Sequence, residues 1–284
     1  MDPIERSMAT LAAAGVAPAL QAKARSLLTD LASLESALVA YSGGVDSAFL
    51  AYAASRVLGD RLLAVTAASS IDPLAMQQAA ASFAQQHGIA HRLVAHDPLA
   101  LHDVRTNPPD RCYHCKRAIL ELLWAYAREH GYAVVIEGQN ADDQADYRPG
   151  RRAVQETGTL SPLVRSNLTK AEIRQLARAF DLSIWDQPSS PCLATRIPYG
   201  IELTQARLAQ VGEAEEYLHA QGFRIVRVRH HGDIARIEVP SEQIPALLAV
   251  REDLVRRLRQ IGFRHVALDL QGYRMGSMNE GVIS

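Results

Sequence analysis

The chain has 284 residues, 48% hydrophobic and 21% charged, with a formal net charge of −1. That length suits one large domain or two smaller ones, and the apolar fraction is enough for a sizeable core. Near-neutral charge argues against a protein wrapped broadly on nucleic acid, and no apolar run reaches the roughly 18 residues of a membrane span.

In chain order, Ala9 to Leu20 is alanine-rich with Ala-x-Ala triplets. Asp2 and Glu5 precede it and Gly15 and Pro18 interrupt it, which argues against a secretory signal. Three cysteines, an odd number, fit a reducing compartment better than a disulfide scaffold, so a cytoplasmic location is expected. Ala19 to Ser36 carries Leu20, Leu27, Leu28, Leu31 and Leu34 at helical spacing. Ala37 to Ala40 reads as a buried strand, and Ala48 to Ala54 as a helix. Between them lies Tyr41-Ser42-Gly43-Gly44-Val45-Asp46-Ser47. Strand, glycine turn and helix N-terminus make an anion site, because unpaired N–H groups and the positive end of the helix dipole converge there. Gly43 and Gly44 permit a sharp turn and close approach to a ligand, and Ser42 and Ser47 add hydroxyls. Asp46 can cap the helix or help hold a metal beside phosphate. A Walker A loop would need a lysine, and none stands here. Ser42-Gly43-Gly44-Val45-Asp46-Ser47 instead resembles the PP-loop of the ATP pyrophosphatases, which cleave ATP between the α- and β-phosphates and pass AMP to an acceptor. That resemblance implies ATP and Mg²⁺ as cofactors.

Arg61 to Ala67 is a second strand, a helix runs from Asp72-Pro73 to near His87-Gly88, and His91 to Ala95 is a third strand. The alternation predicts an α/β fold with a doubly wound parallel sheet and ligands at the carboxyl ends of the strands. After the stop at Asn107-Pro108-Pro109-Asp110, Cys112-Tyr113-His114-Cys115 is expected in a loop ahead of a helix from Lys116 to Glu129. Ala133 to Ile136 is the fourth strand. Glu137-Gly138-Gln139-Asn140-Ala141-Asp142-Asp143 leaves its carboxyl end and places Gly138, Asn140 and Asp142 in the crevice as nucleotide contacts. Asp46, Asp142 and Asp143 are candidate metal or ribose contacts, the last two alternatively a solvated acidic turn. A polar loop runs to Arg152. Thr169-Lys170-Ala171-Glu172 reads as a capping box opening a helix to near Asp181. Pro188, Pro191 and Pro198 exclude regular structure around Cys192. Beyond Gly200 the pattern is a helix (Thr204 to Gln221), two strands (Phe223 to His230, Ile234 to Val239) around a His231-Gly232-Asp233 turn, a helix (Ser241 to Gln260) and a strand (Phe263 to Leu268). The expected domains are therefore 1–190 and a smaller α+β unit, 191–284.

Cys112, Cys115 and Cys192 are all expected in loops flanked by turn-makers and charge. Cys-x-x-Cys ahead of a helix reads as a redox pair, half a zinc site or iron–sulfur ligands. His114 lies between the pair, a poor place for a fourth zinc ligand, and a thioredoxin-type pair leaves Cys192 unexplained. Three unrelated core thiols is the bland alternative. Three thiolates suit a cubane cluster with one iron left open, able to bind sulfide. Arg227, Arg229 and His231 share one strand face by alternation, with Arg236 on the paired strand: either a solvated face or a clamp for phosphate and carboxylate. Arg196, four residues past Cys192, must lie near the sulfur. Trp124 and Trp185 read as packing residues.

Over most of its length the chain resembles the LarE family, ATP-dependent sulfurtransferases that build the nickel-pincer nucleotide cofactor of lactate racemase. The anchors are Tyr41 to Ser47, Glu137 to Asp143, Ser190-Pro191-Cys192-Leu193-Ala194-Thr195-Arg196-Ile197-Pro198, Arg229-His230-His231 with Arg236-Ile237-Glu238-Val239, and Gly272-Tyr273-Arg274. The resemblance implies a substrate, pyridinium-3,5-biscarboxylic acid mononucleotide, whose carboxylates are adenylated and converted to thiocarboxylates. One kind of member gives up the sulfur of a single cysteine matching Cys192. The other has two further cysteines, matching Cys112 and Cys115, and holds a [4Fe-4S] cluster carrying sulfide. The second kind is the one expected here. Cys112, Cys115 and Cys192 would then ligate the cluster and, with Arg196, carry catalysis. Ser42, Gly43, Gly44, Asp46, Ser47, Gly138, Asn140 and Asp142 would hold the nucleotide, and Arg227, Arg229 and Arg236 the substrate anions. The resemblance also implies a sulfide or sulfur donor as partner and a homo-oligomer such as a hexamer, with no nucleic acid and no membrane. The rivals are a PP-loop tRNA thiolase with a three-cysteine cluster, which needs a basic RNA face, and an ammonia-using synthetase of the NAD or GMP synthetase type, which does not need the cysteines. A nucleotide-sensing scaffold is the non-enzymatic alternative.

Overall fold

The computed structural model describes residues 2–144, 150–189 and 191–274, Gln144 by its backbone alone. Ser190 at the expected domain junction, and 145–149 of the polar loop, lie outside the described residues. In chain order the elements are α1 (Pro3–Ala13), α2 (Pro18–Ala32), β1 (Ala37–Ala40), α3 (Val45–Leu58), β2 (Leu62–Ala68), α4 (Leu74–Gln86), β3 (His91–Ala95), α5 (His102–Arg105) and α6 (Arg111–Glu129). There follow β4 (Val134–Glu137), α7 (Gly150–Glu156), α8 (Pro162–Arg165), α9 (Lys170–Ala179), α10 (Gln205–Ala220), β5 (Arg227–His231), β6 (Ile234–Glu238), α11 (Ile244–Ala249), α12 (Arg251–Ile261) and β7 (His265–Leu268). They divide into two compact units. The second takes the described residues from Pro191 onward together with Ser70–Pro73 and Asp97–Arg111, two stretches that the sequence alone assigns to the first domain.

The first unit is built on a parallel sheet of order β3-β2-β1-β4. The chain winds outward from β1 to β2 and β3, then returns to the other side of β1 as β4. The direction of winding reverses between β1 and β4, and in open α/β sheets that reversal opens a crevice at the carboxyl ends. Alternation sends successive side chains to opposite faces. Ala37, Val39, Leu62 and Ala64 face a core shared with helices that include α1, α2, α3 and α9. Leu38, Leu63, Val65 and Val135 face α6 through Leu123 and Ala127. Both faces are covered, which is why these strands read as unbroken apolar runs. Burial of one such side chain, as for the fully enclosed Leu38, is worth about 1.5–3 kcal/mol. Met8 and Leu11 of α1 lie in the same core, so the alanine-rich start of the chain is part of the fold. No helix among the described residues is long and apolar enough to cross a membrane.

The second unit carries a three-stranded sheet of order β5-β6-β7, with β5–β6 an antiparallel hairpin and β7 parallel to β6. Leu218 of α10 and Leu254 and Leu258 of α12 pack on Val228 and Ile237 of that sheet.

Three expectations need correction. Cys112 and Cys115 are not in a loop: α6 begins at Arg111, two residues past Pro109, so the cysteines are its second and fifth residues. The single helix expected from Ser241 to Gln260 is a short 3₁₀ turn, Ser241–Gln243, then α11 and α12 broken at Val250. Pro245 is the cause. It has no N–H to give a helix begun at Ser241, and sits instead in the first turn of α11, where none is needed. The proline-rich stretch also contains single 3₁₀ turns, Ser183–Asp186 and Leu193–Arg196.

Candidate functional site

In the first unit the loop after β1 is held in shape by its own side chains. Ser47 Oγ donates to the Gly44 carbonyl at 3.1 Å and accepts from the Ser42 amide at 3.2 Å. The Ser42 and Ser47 hydroxyls lie 3.0 Å apart. Tyr41, buried at the end of β1, donates its hydroxyl to the Ala80 carbonyl at 3.0 Å and so ties the loop to α4; burial raises its phenol pKa well above the ordinary value. Gly43 has φ +79°, and a Cβ there would lie 2.7 Å from Ala80 Cβ. Gly44 caps α3 from an extended conformation with no side-chain cap, so first-turn amides of α3 are not taken up by a capping side chain. Asp46 does not serve as the cap. Its Oδ2 accepts from Lys170 Nζ at 2.9 Å, and its Oδ1 is buried with no hydrogen-bond partner.

The loop after β4 meets the first one. A Cβ on Gly138 would lie 2.8 Å from the Ser47 amide nitrogen, so only glycine lets the two backbones come this close. Glu137, 1% exposed, accepts from the Gln139 amide and the Ser161 hydroxyl through Oε1, and from Lys116 Nζ at 3.0 Å through Oε2. Buried Asn140 accepts the Asp142 amide at 3.0 Å and gives its own amide to Asp143. Asp142 is exposed and accepts the Lys170 amide at 2.9 Å, whereas Asp143 is buried, so the pair is not a wholly solvated acidic turn. Ser42, Gly43, Gly44, Asp46, Ser47, Gly138, Asn140 and Asp142 thus gather at the adjoining ends of β1 and β4.

Sequence reasoning gave no individual site role to Glu137, Lys116 or Lys170. Lys170 had a signal: it is the first residue of α9, where a cation opposes the helix dipole. The capping box around it forms as expected. Thr169 Oγ1 accepts the Glu172 amide, and Glu172 accepts the Thr169 amide and bonds Lys23.

Cys112 and Cys115, three apart at the start of α6, share a helix face, the former exposed and the latter half-buried. None of the three cysteines is in a disulfide. Among the described residues no group of three or more His, Cys, Asp or Glu side chains is placed to hold a metal ion.

In the second unit Cys192 opens the 3₁₀ turn Leu193–Arg196, and its carbonyl accepts from the Thr195 amide and hydroxyl. Arg196, fully buried, grips Glu215 with two parallel bonds of 2.8 Å and donates to the Pro191 carbonyl and the Thr195 hydroxyl. It fastens the cysteine turn to α10. Arg229 grips Glu238 in the same bidentate way and reaches the Thr195 carbonyl at 2.9 Å, while Arg236 shares Glu238. Arg227 is buried against Tyr273, whose ring centre is 5.2 Å from its guanidinium carbon. Burial foremost, then the charge of Arg196, pushes the Arg227 pKa down. Arg227 and Arg229 therefore do not line a wet face, and only His231 of that row is exposed. Trp124 and Trp185 bear out their packing assignment in part: Trp124 donates to Thr159 beside α6's core, and Trp185, 39% exposed, lies under Arg178.

No family model matches the chain. It is 43% identical over 263 residues to an uncharacterized protein of Synechocystis sp., spanning 92% of this chain and 98% of that one. It is 38% identical over 262 residues to the pyridinium-3,5-bisthiocarboxylic acid mononucleotide synthase of Lactiplantibacillus plantarum, spanning 92% and 95%. A stretch of 194 residues is 29% identical to one chain of the glutamine-hydrolyzing GMP synthase of Methanococcus maripaludis, spanning 62% and 61%. Identity at the level of the Lactiplantibacillus match, over nearly all of both chains, joins a PP-loop-type doubly wound sheet with a smaller α+β unit. The chain belongs to the LarE family of sulfurtransferases, the pyridinium-3,5-bisthiocarboxylic acid mononucleotide synthases.

Proposed function

We propose that this chain uses ATP to convert the carboxylates of pyridinium-3,5-biscarboxylic acid mononucleotide to thiocarboxylates. The observation that carries the ATP half is the contact of Gly138 with Ser47, which brings two loops rich in amides and carboxylates to one crevice. A carboxylate oxygen of the substrate attacks the α-phosphorus, the bond to the bridging oxygen breaks, and pyrophosphate leaves. A sulfur nucleophile then attacks the acyl carbon, the acyl C–O bond breaks, and AMP departs with that oxygen. Adenylation matters because a carboxylate is a poor electrophile and AMP a good leaving group.

Asp46 fits Mg²⁺, since its buried Oδ1 lacks a partner; bound there, the metal would neutralise charge growing on pyrophosphate. The amides at the start of α3 serve the same end. Of the arginines expected to meet the substrate's phosphate and carboxylates, Arg236 is the one a third exposed, while buried Arg229 is taken up by Glu238 and the Thr195 carbonyl and buried Arg227 lies against Tyr273; Arg196 holds the turn of Cys192. A [4Fe-4S] cluster on Cys112, Cys115 and Cys192 suits thiol chemistry, but no metal-holding group of three is gathered among the described residues, and no step is derived through it.

The test is substrate-dependent pyrophosphate release from ATP coupled to a thiocarboxylate product by mass spectrometry. Pyrophosphate release with ammonia and an amide product would favour the synthetase reading that the GMP synthase match suggests. Iron and labile sulfide, counted on protein purified without oxygen, separate a cluster-borne sulfur from one given up by Cys192.

A further inference from the structure

We infer that Lys170 is a mobile cation of the ATP site, paired with Asp46 before the nucleotide binds and transferred to the departing phosphates once a metal takes its place; this rests on the ATP-dependent reading above. The PP-loop has no lysine of its own. Lys170 comes from 124 residues further along the chain to place Nζ 2.9 Å from Asp46 Oδ2. Its backbone amide is fixed on Asp142 at 2.9 Å, so the base of the side chain is anchored between both nucleotide loops.

Three properties make the pair a place-holder rather than a permanent strut. Asp46 uses one oxygen on Lys170 and leaves Oδ1 buried without a partner, a lone-pair site open to a metal. The lysine side chain is 36% exposed while that of Asp46 is 18% exposed, so its ammonium is at the rim with room to swing. Its four-carbon stem lets the charge move several ångströms with the backbone still, unlike the rigid fork of arginine. A divalent metal on Asp46 would repel the ammonium, and phosphate oxygens bound beside the loop would offer it strong acceptors in exchange. A lysine at the first position of α9 is unfavourable to the helix, which a role toward anions explains.

The test is calorimetric binding of α,β-methylene-ATP to the intact protein across a range of Mg²⁺ concentrations. For K170M, affinity at saturating Mg²⁺ should fall about tenfold or more, the size of a lost charge-assisted hydrogen bond. The Mg²⁺ concentration giving half the effect should also fall, because Asp46 has lost a competing cation. K170R keeps the charge on a stiffer fork and should recover only part of the affinity. A purely structural lysine would lower the melting temperature and leave the metal dependence unmoved. Wild-type affinity and metal dependence in K170M overturn the inference. Should K170M not fold, D46N serves: with Lys170 released, analogue binding without metal should tighten severalfold, and no change sinks the idea. Wild-type protein that binds no analogue at all refutes the ATP reading itself, a separate result.

Discussion

Gly138 and Ser47 are in contact: a side chain on the first would meet the amide nitrogen of the second at 2.8 Å and its Cα at 2.9 Å. Both neighbours are backbone atoms at the start of α3 and cannot turn aside. G138A should therefore part the β4 loop from the PP-loop. An overpacking cost of about 1–3 kcal/mol in a urea titration is expected, with loss of ATP-analogue binding. Wild-type values for both would show that the loops do not need this approach.

Glu215 neutralises Arg196 at a fully buried position and also accepts the Val228 amide at 2.9 Å. E215A strands a guanidinium and an amide out of water. It should cost about 3–5 kcal/mol by chemical denaturation, the range for breaking a buried pair. E215Q retains an acceptor for each and should cost less. Equal, small losses in both would mean that Arg196 finds solvent.

Activation and sulfur delivery can be separated at the cysteines. C192A should abolish thiocarboxylate formation while substrate-dependent pyrophosphate release persists. The C112A/C115A variant should behave the same way if the three thiols act as a set. Thiocarboxylate formed by C112A/C115A at the wild-type rate would leave Cys192 as the sole sulfur residue.

Acid should weaken the fold through its histidines. Burial lowers the pKa of His87, His91 and His230 below the ordinary 6.5. His87 Nε2 and His230 Nδ1 are buried without partners. Between the lowered folded value and 6.5 the unfolded chain binds more protons than the folded one, so stability rises with pH across that window and falls as pH drops through it. Urea midpoints should decline from pH 7.5 to pH 5.5, and a rising midpoint would contradict the burial of these rings.

The sheet, the PP-loop and the capping box were legible because each is written in neighbouring residues. The apolar runs Ala37 to Ala40 and Ala133 to Ile136 carry the strand pattern, and Thr169 and Glu172 satisfy each other's amides across a single turn. Steric rules for glycine act over two or three residues, so Gly43 also announces itself; Pro245 carries an equally local signal, which the expectation of one helix from Ser241 to Gln260 left unused.

What the sequence by itself determined, then, was the family, the fold class and the two loops at the strand ends. Tertiary structure decided the charge partners: Lys170 on Asp46, Lys116 on Glu137, Arg196 on Glu215 and Arg229 on Glu238. It also decided that Arg227 and Arg229 are buried rather than wet. Periodicity reports which face of an element avoids water, but an ion pair between distant segments leaves no periodic trace. Its partner is chosen only when packing brings the two charges into a space of low dielectric, where leaving either unpaired would be costly.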